Sequence, residues 1–521
     1  MSSRLQLKLF PGYYLKMLFG ISSSMKCIAF FCLLVIVSGA HAQSADYNCP
    51  CAQIGLDNQW ADSNKVSCYS IPVLRDAANK NSGTFQLAVV VAASLGKSSE
   101  KPLLYLHGGP GIATISNVPR YLESATWNMA RQERPIIFFD YRGTGYSEPE
   151  LCPGVSDSLA RLATKNLSPA EIEAIRLALF QSCRQQHAKE GVDIASFSSY
   201  QSAEDAESIR KALGFGQWNV YGVSHGTTVA LNLLRNHEKN VHSMILDSPF
   251  PPNAPWLDFV RPFAVSFQVL ETKIKEDPVA FKAFPSIKND FIKAVERLNK
   301  TPYQIEVNEQ GATFPFSGND FSWSIWSAML KPKTIPLVPL AIHEVAKGND
   351  SVLKKWVMLF SNPDQFGKFS EFQSKAILCY EGRPQLASDR KDSLQARYPE
   401  FAAFNLDFED DLCNAWQPGI AGPDKFAAVR SEVPVLVLSG EYDPVCPPVF
   451  GELTASTLAN SVFVNVPAAS HAAIHEDDCT RALAQNFLKD PRRKPDLTCI
   501  RKREGIKFIT ADLANALKEI K

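Results

Sequence analysis

Apolar residues in the first half of the chain form short runs that alternate with segments of helical spacing. The apolar or β-branched runs of strand length are Phe85–Val91, Pro102–Leu106, Pro135–Phe139, Trp218–Val223 and His242–Asp247. The segments with helical spacing are Ala203–Leu213 and Thr227–Asn236. Strands that are apolar along their whole length are typical of a parallel sheet covered on both faces. The pattern therefore predicts an α/β domain with a mostly parallel sheet between two layers of helices.

This alternation stops after Pro249 and returns at Val433–Leu438. The residues between are mostly helical in pattern, with helix-like stretches at Pro278–Asn299 and Leu337–Ala346, and a strand at Val462–Val466 and a helix at Cys479–Leu488 follow the return. We therefore expect one α/β domain interrupted by a helical insertion. The expected segments are 43–252 and 433–490 for the α/β core, 253–432 for a helical cap insertion, and 491–521 for a C-terminal extension with a helix at Ala511–Lys518.

The N-terminus carries the pattern of an export signal. Lys26 precedes the apolar run Cys27–Val37, and Ala40–Ala42 reads as an A-x-A cleavage site. We expect processing after Ala42, so that 1–42 is a signal peptide with an upstream extension and the mature chain is secreted or periplasmic. The apolar run is short for a bilayer span, so no stable membrane insertion is expected, although an uncleaved anchor is the alternative.

Ten cysteines follow the predicted cleavage site, an even number that indicates disulfides in an oxidising compartment. Cys152–Cys183 and Cys379–Cys413 are the favoured pairs because each closes a local loop, and Cys479–Cys499 is a third. A metal site is the alternative. Cys49 and Cys51 are close in sequence, but there is no CxxC and no His pair at ligand spacing, so neither metal nor cofactor is expected.

The length and the net charge of the chain limit the domain organisation and the partners that we expect. The 521 residues exceed what one hydrophobic core usually serves, which agrees with an insertion. The 54 basic and 54 acidic residues balance, so nothing favours nucleic acid as a partner. No pattern in the sequence indicates an oligomeric state.

The segment Gly222–Gly226, with the sequence GVSHG, lies between a predicted strand and a predicted helix. A G-x-S-x-G segment in that context places a nucleophilic serine on a sharp strand-to-helix turn, with its Oγ exposed above the sheet. The N-terminus of the following helix favours negative charge developing at the site. We therefore predict that Ser224 is the nucleophile of an α/β-hydrolase fold.

A serine hydroxyl needs an imidazole base that a carboxylate orients. In this fold the acid and then the base follow the nucleophile along the chain. Asp443 lies in the turn after the strand at Val433–Leu438, and His471 follows the next strand. The predicted triad is Ser224, Asp443 and His471. Glu441 remains an alternative acid, and His475 and His225 remain alternative bases.

The glycine-rich segment His107–Gly111 follows a strand, where this fold needs a backbone donor to a tetrahedral oxyanion. Gly109 is the predicted donor, with Gly108 as the alternative, and the backbone N–H of His225 is the second donor. A tight turn without catalytic role is the other interpretation of this glycine segment.

Together these motifs resemble the prolyl iminopeptidase family of serine peptidases, especially its secreted tripeptidyl-aminopeptidase-like branch. The matching segments are His107–Gly111, Asp140–Gly145, Gly222–Gly226, Gly440–Asp443, the loop of His471, and Cys413–Trp416 near the end of the insertion. Two positions differ from the family pattern: Ser470 stands where Gly is common and Cys446 where Thr is common. Neither removes a catalytic atom, but both leave substrate preference open.

The resemblance implies cleavage of peptide substrates at a free N-terminus, with the insertion as a cap over Ser224. Such enzymes hold the substrate α-ammonium group with cap carboxylates, because a buried cation needs an opposite charge. Glu381 is the substrate-binding residue we predict for that role, with a structural or solvated glutamate as the alternative. A secreted carboxylesterase or lipase with the same triad, and a non-catalytic binding protein of this fold, are the competing functions.

Overall fold

The computed structural model describes residues 47–96, 100–153, 155, 169–254, 260–306, 313–360, 368–382, 393, 396–401 and 410–511. The predicted signal peptide and nearly all of the helix predicted at Ala511–Lys518 lie outside these residues. Within them, no helix combines the length and the apolar character that crossing a bilayer requires.

An eight-stranded sheet forms the centre of the fold, as the alternating apolar runs predict. Its strand order is β1-β2-β4-β3-β5-β6-β9-β10. From β4 to β10 all neighbours are parallel, whereas β2 is antiparallel to both β1 and β4. The strands are β1 Val66–Leu74, β2 Thr84–Ala92, β3 Leu103–Leu106, β4 Ile136–Phe139, β5 Trp218–Val223, β6 Val241–Asp247, β9 Val435–Gly440 and β10 Ser461–Val466.

Helices cover the sheet on both faces, and two separate apolar clusters of buried residues result. One face packs around Trp218, and the other around Trp127. The helices outside the insertion are α1 Asn58–Ser63, α2 Val118–Glu123, α3 Ala125–Arg131, α4 Pro169–Lys189, α5 Ser199–Ala212, α6 His225–His237, α15 Pro448–Ala455, α16 Asp478–Lys489 and α17 Thr498–Arg501.

The segment between β6 and β9 is the insertion, and its described residues are mainly helical. Its helices are α7 Val260–Glu276, α8 Pro278–Ala283, α9 Ile287–Lys300, α10 Gly318–Met329, α11 Val338–Ala346, α12 Asp350–Phe360, α13 Glu371–Ile377 and α14 Asp410–Trp416. A π-helical turn, Leu378–Gly382, continues α13. An antiparallel hairpin of β7 Tyr303–Glu306 and β8 Thr313–Phe316, which the sequence pattern did not predict, lies between α9 and α10. A third apolar cluster, made mostly of insertion residues, gives the segment a core of its own.

The helix predicted over Pro278–Asn299 is two helices. It breaks between Ala283 and Ile287, around Pro285. Proline has no N–H to donate and its ring clashes with the preceding helical turn, which explains the break.

Four disulfides link cysteines among the described residues. Three of them, Cys152–Cys183, Cys379–Cys413 and Cys479–Cys499, are the pairs expected from loop spacing. The fourth, Cys51–Cys68, ties the segment before α1 to β1 and was not expected. Cys49 and Cys446 have no disulfide partner among the described cysteines.

Candidate active site

Ser224 lies between the last residue of β5 and the first residue of α6, with φ 55° and ψ −128°. That left-handed backbone is strained for a residue with a side chain. Both glycines of the motif are sterically required. A Cβ on Gly226 would lie 2.0 Å from the Leu106 carbonyl oxygen, and one on Gly222 would lie 2.7 Å from the Gly226 carbonyl oxygen. The sharp turn therefore accounts for the spacing of the G-x-S-x-G segment.

Asp443 and His471 meet at the carboxyl ends of neighbouring strands. Asp443 follows β9, and His471 follows β10. The Oδ2 of Asp443 is 2.9 Å from the Nδ1 of His471, while its Oδ1 accepts the backbone N–H groups of Val445 at 2.9 Å and Cys446 at 2.8 Å. Asp443 is fully buried, so its position is fixed by these bonds.

Asp443 and His471 each stabilise the charged form of the other. Burial raises the pKa of Asp443, but the nearby His471 and the hydrogen bonds outweigh burial and hold that pKa below its ordinary value. Burial lowers the pKa of His471, but Asp443, helped by Asp247, outweighs burial and raises it. An ionised carboxylate thus stabilises an imidazole that gains a proton, which is what a serine hydrolase asks of its acid and base.

Ser224 and His471 line the same cleft, but the Ser224 hydroxyl makes no hydrogen bond to His471 in the described part of the chain. It lies near the Cys446 thiol and has a lowering effect on the pKa of that thiol. Burial raises the pKa of that thiol well above its ordinary value, so Cys446 stays neutral. Hydrogen bonds between nucleophile and base are often long in ligand-free structures and tighten with substrate.

The glycine-rich loop after β3 borders the nucleophile. A Cβ on Gly108 would lie 3.0 Å from the Cβ of Ser224, and Gly109 has φ 121°, a backbone conformation open to glycine. Within the described ranges, no acceptor bonds the backbone N–H of Gly109 or that of His225. Both predicted oxyanion donors are therefore unpaired beside Ser224.

Asp140, at the end of β4, supports this glycine-rich loop. Its Oδ1 accepts the backbone N–H groups of Thr114 at 2.6 Å and Ile115 at 2.9 Å, and its Oδ2 accepts that of Tyr146 at 2.9 Å. Gly145 has to be glycine, because a Cβ there would lie 2.0 Å from the Asp140 carboxylate. These contacts give the Asp140–Gly145 motif a structural role behind the site.

Glu381 lies in the π-helical turn after α13, two residues beyond the Cys379–Cys413 disulfide. Its carboxylate accepts the backbone N–H of Ser199 at 2.6 Å and the Ser199 hydroxyl at 3.0 Å. Burial raises the pKa of Glu381 to about 7, against the lowering effect of both Ser199 groups. Glu381 and Ser224 line one cavity with a volume of about 90 Å³.

Two of the three alternative residues, Glu441 and His475, have partners elsewhere, and the third, His225, is buried. The Glu441 carboxylate accepts the backbone N–H of Ala468 at 3.0 Å and lies 3.4 Å from the Lys273 ammonium group. The Nε2 of His475 is 3.2 Å from the Tyr221 hydroxyl. The ring nitrogens of His225 are buried and have no hydrogen-bond partner among the residues that the structure describes. Burial lowers the pKa of both His475 and His225 to about 4, so both rings are neutral.

One residue that sequence reasoning missed joins the two halves of the site. Asp247, the last residue of β6, is fully buried, and its backbone carbonyl accepts the N–H of Ser224 at 3.0 Å. Its carboxylate accepts the backbone N–H groups of Ala473 at 2.8 Å and Ile474 at 3.0 Å, just after His471. Burial raises its pKa to about 6. A carboxylate at the end of a predicted parallel strand was the signal that could have found it.

Two groups of three side chains in the described residues have metal-ligand chemistry. In one, two of the members are Cys152 and Cys183, which are bonded to each other and therefore offer no thiolate. The other consists of Asp443, Cys446 and His471, so it includes two of the three predicted triad residues.

The chain is similar to one protein family and to several individual proteins. Residues 101–478 match the family described as having the alpha/beta hydrolase fold. A tripeptidyl aminopeptidase of Streptomyces lividans is 26% identical over 212 residues, which are 39% of this chain and 40% of that protein. A serine protease, Hip1, of Mycobacterium bovis is 21% identical over 394 residues, 71% of this chain and 75% of that protein. A probable proline iminopeptidase of Leptolyngbya boryana is 25% identical over 155 residues, 30% of this chain and 33% of that protein.

The alignment with the Streptomyces lividans protein thus spans about two fifths of that relative's length. Among solved structures, a thermophilic esterase from Thermogutta terrifontis matches with a TM-score of 0.35 and 16% identity, over 81% of this chain and 99% of that one. The family match covers well over half of the chain and agrees with the strand order and the strand-to-helix turn at Ser224. The chain belongs to the α/β-hydrolase fold family.

Proposed function

We propose that this chain is a secreted serine aminopeptidase that cleaves peptides next to a free N-terminus. The observation that carries the proposal is the small cavity that Glu381 shares with Ser224. A carboxylate in a cavity beside the nucleophile can bind a cationic group of the substrate that lies close to the scissile carbonyl. The α-ammonium group of a peptide is such a cation, and burying it requires an opposite charge.

The mechanism that we infer begins with substrate bound by its ammonium group at Glu381. The Ser224 hydroxyl turns towards His471 and attacks the scissile carbonyl, while the imidazole takes its proton. Asp443 stabilises the resulting imidazolium. The unpaired backbone N–H groups of Gly109 and His225 then bond the oxyanion, a contribution of about 2.7–4 kcal/mol per donor in comparable sites.

The C–N bond breaks as His471 returns its proton to the leaving amine, so that a neutral amine departs and an ester remains on Ser224. Water then gives a proton to His471 and attacks the ester. The bond between the acyl carbon and the Ser224 oxygen then breaks as His471 returns this proton to that oxygen, which restores the hydroxyl, and the released residue or short peptide carries the new carboxylate. This sequence needs no cofactor.

The relatives named as a tripeptidyl aminopeptidase and a proline iminopeptidase support the peptidase assignment. Secretion is supported by the export-signal pattern before Ala42 and by four disulfides, because disulfides persist in oxidising compartments.

A panel of aminoacyl and tripeptidyl arylamides tests the proposal, each with a free and with an acetylated N-terminus, beside short-chain esters. We expect cleavage of the free-amine arylamides and a large loss on acetylation. Equal rates for free and acetylated amides, or cleavage of esters alone, would replace the proposal with an esterase or lipase. A protein that cleaves none of these and reacts with no fluorophosphonate would be a binding protein.

A further inference from the structure

Ser224 also lines a second recess. It is a cleft with a volume of about 720 Å³, much larger than the cavity that contains Glu381. Ser224 lines both spaces, but His471 lines only the cleft and Glu381 only the cavity. The nucleophile therefore stands at the junction of two compartments of different size and different chemistry.

Given the proposed function, the separation of His471 from Glu381 determines which part of a bound substrate lies in the cleft and which part lies in the cavity. A base that has taken the proton of Ser224 must hand it to the leaving group, so the leaving group lies on the side of His471. The acyl part, with its ammonium group, then occupies the cavity, and the leaving peptide occupies the cleft.

The cleft has an unbalanced positive charge. Lys375, a half-buried residue of α13, lines it and has no hydrogen-bond or ion-pair partner in the described part of the chain. Of the other side chains with a charge in the lining, Arg176 pairs with Glu371 at 2.8 Å and with Glu173 at 3.4 Å. His471, which also lines the cleft, pairs with Asp443. The lining rings of His107 and His475 are neutral, since burial lowers the pKa of each to about 4.

An aromatic wall completes the cleft. Trp323 and Trp326 of α10 line it with their ring centroids 5.4 Å apart and their planes nearly perpendicular, and Tyr121 and Phe369 add two further rings. Half-buried aromatic rings beside a cation suit a ligand with an apolar body and an anionic end.

We propose that the cleft is a leaving-group subsite for short apolar peptides that end in a free carboxylate, which Lys375 binds. The carboxylate supplies the opposite charge that Lys375 lacks, and the aromatic wall packs against the side chain of the residue that leaves. This subsite rests on the proposed function for its direction. It makes the chain a peptidase of small peptides with both ends free.

The test compares peptides that differ only at the C-terminus. Di- and tripeptides that begin with the best residue of the arylamide panel and end in Phe are prepared as free acids and as C-terminal amides. For the wild type we compare the free acid that is cleaved faster, the dipeptide or the tripeptide, with its own amide. We expect kcat/KM to be about tenfold higher for the free acid, because one charge-assisted hydrogen bond contributes a free energy in that range.

Lys375→Met should remove this preference by lowering kcat/KM for the free acid about tenfold, with little change for the amide or the arylamide. Lys375→Arg should retain most of the preference. Lys354→Met, at an exposed position of α12, is the matched control and should behave as wild type. A wild type indifferent to the C-terminus, or a Lys375→Met variant that loses acid and amide alike, would overturn the proposal.

Esters keep this test independent of the aminopeptidase activity. The acetate esters of 4-hydroxyphenylacetic acid and of its primary amide place a carboxylate, or no charge, on the leaving group alone. If no peptide is cleaved, the proposed function fails, and the ester pair still decides the subsite. Preference for the acid that depends on Lys375 supports it, and equal rates overturn it.

Discussion

Replacing Glu381 by Gln isolates the charge on which the proposed specificity depends. The amide keeps an oxygen that accepts the Ser199 N–H, which the carboxylate accepts at 2.6 Å, so the local structure should persist. What is lost is the negative charge opposite the substrate ammonium group. Removing one partner of a buried charge pair costs about 2–5 kcal/mol. Because Glu381 is only partly buried, we expect the lower part of this range, about 2–3 kcal/mol.

That loss corresponds to a drop of about 30- to 150-fold in kcat/KM for free-amine arylamides at pH 8. The ratio of wild type to variant should also depend on pH. With a pKa of about 7, the free carboxyl group is about nine-tenths ionised at pH 8 and about one-tenth ionised at pH 6. The advantage of the wild type should therefore shrink about tenfold as pH falls from 8 to 6, while effects of His471 and of the substrate amine cancel in the ratio.

The assay measures kcat/KM for both proteins between pH 6 and 8, on arylamides and on an uncharged ester. Glu441→Gln is the matched control, since that carboxylate also accepts a backbone N–H and lies outside the cavity. Cleavage of free-amine arylamides by Glu381→Gln at the wild-type rate would refute a role of the Glu381 charge in binding the ammonium group. Equal losses on the ester would refute it too, because they would indicate damage to Ser224 rather than a lost ammonium site.

Three further predictions concern the scaffold. Gly226→Ala should lower the free energy of unfolding by about 3 kcal/mol or prevent folding, because the added Cβ would lie 2.0 Å from a backbone oxygen. Gly216→Ala is the control and should change the free energy of unfolding little, because a Cβ there would have no atom within 4 Å. Chemical denaturation measures both values. Asp247→Ala leaves two buried backbone N–H groups without an acceptor, at about 1–3 kcal/mol each, and should lower both the unfolding midpoint and kcat, while Asp247→Asn loses less. Replacing Cys379 and Cys413 together by Ser opens a loop with a sequence separation of 34 and should cost about 3–4 kcal/mol, seen as a lower Tm in calorimetry.

Much of the core could be predicted because its strands are apolar along their whole length. The segment Trp218–Val223 is a buried strand with the predicted bounds, and the G-x-S-x-G turn follows it because only glycine fits on either side of the strained serine. In contrast, β1 is part buried and part exposed, and it pairs with β2 at the edge of the sheet. Its mixed pattern gave no comparable signal.

Features that depend on contacts between distant segments could not be predicted. The position of Glu381 is set by Ser199, 182 residues away in sequence, and the role of Asp247 by amides 226 and 227 residues away. The positive charge of the cleft belongs to Lys375, which has no ion-pair partner among the described residues, whereas Glu371 of the same helix pairs with Arg176. No local spacing encodes such contacts.

The central claim, that Ser224 is a nucleophile activated by His471 and Asp443, is tested most directly by the site and rate of fluorophosphonate labelling. Mass spectrometry of the digested wild type should locate a single adduct on Ser224. Ser224→Ala should give none, and His471→Asn should label at least a hundredfold more slowly, since general base catalysis contributes about 10²–10⁴-fold. An adduct on another residue, or a wild-type rate in the His471 variant, would contradict the account.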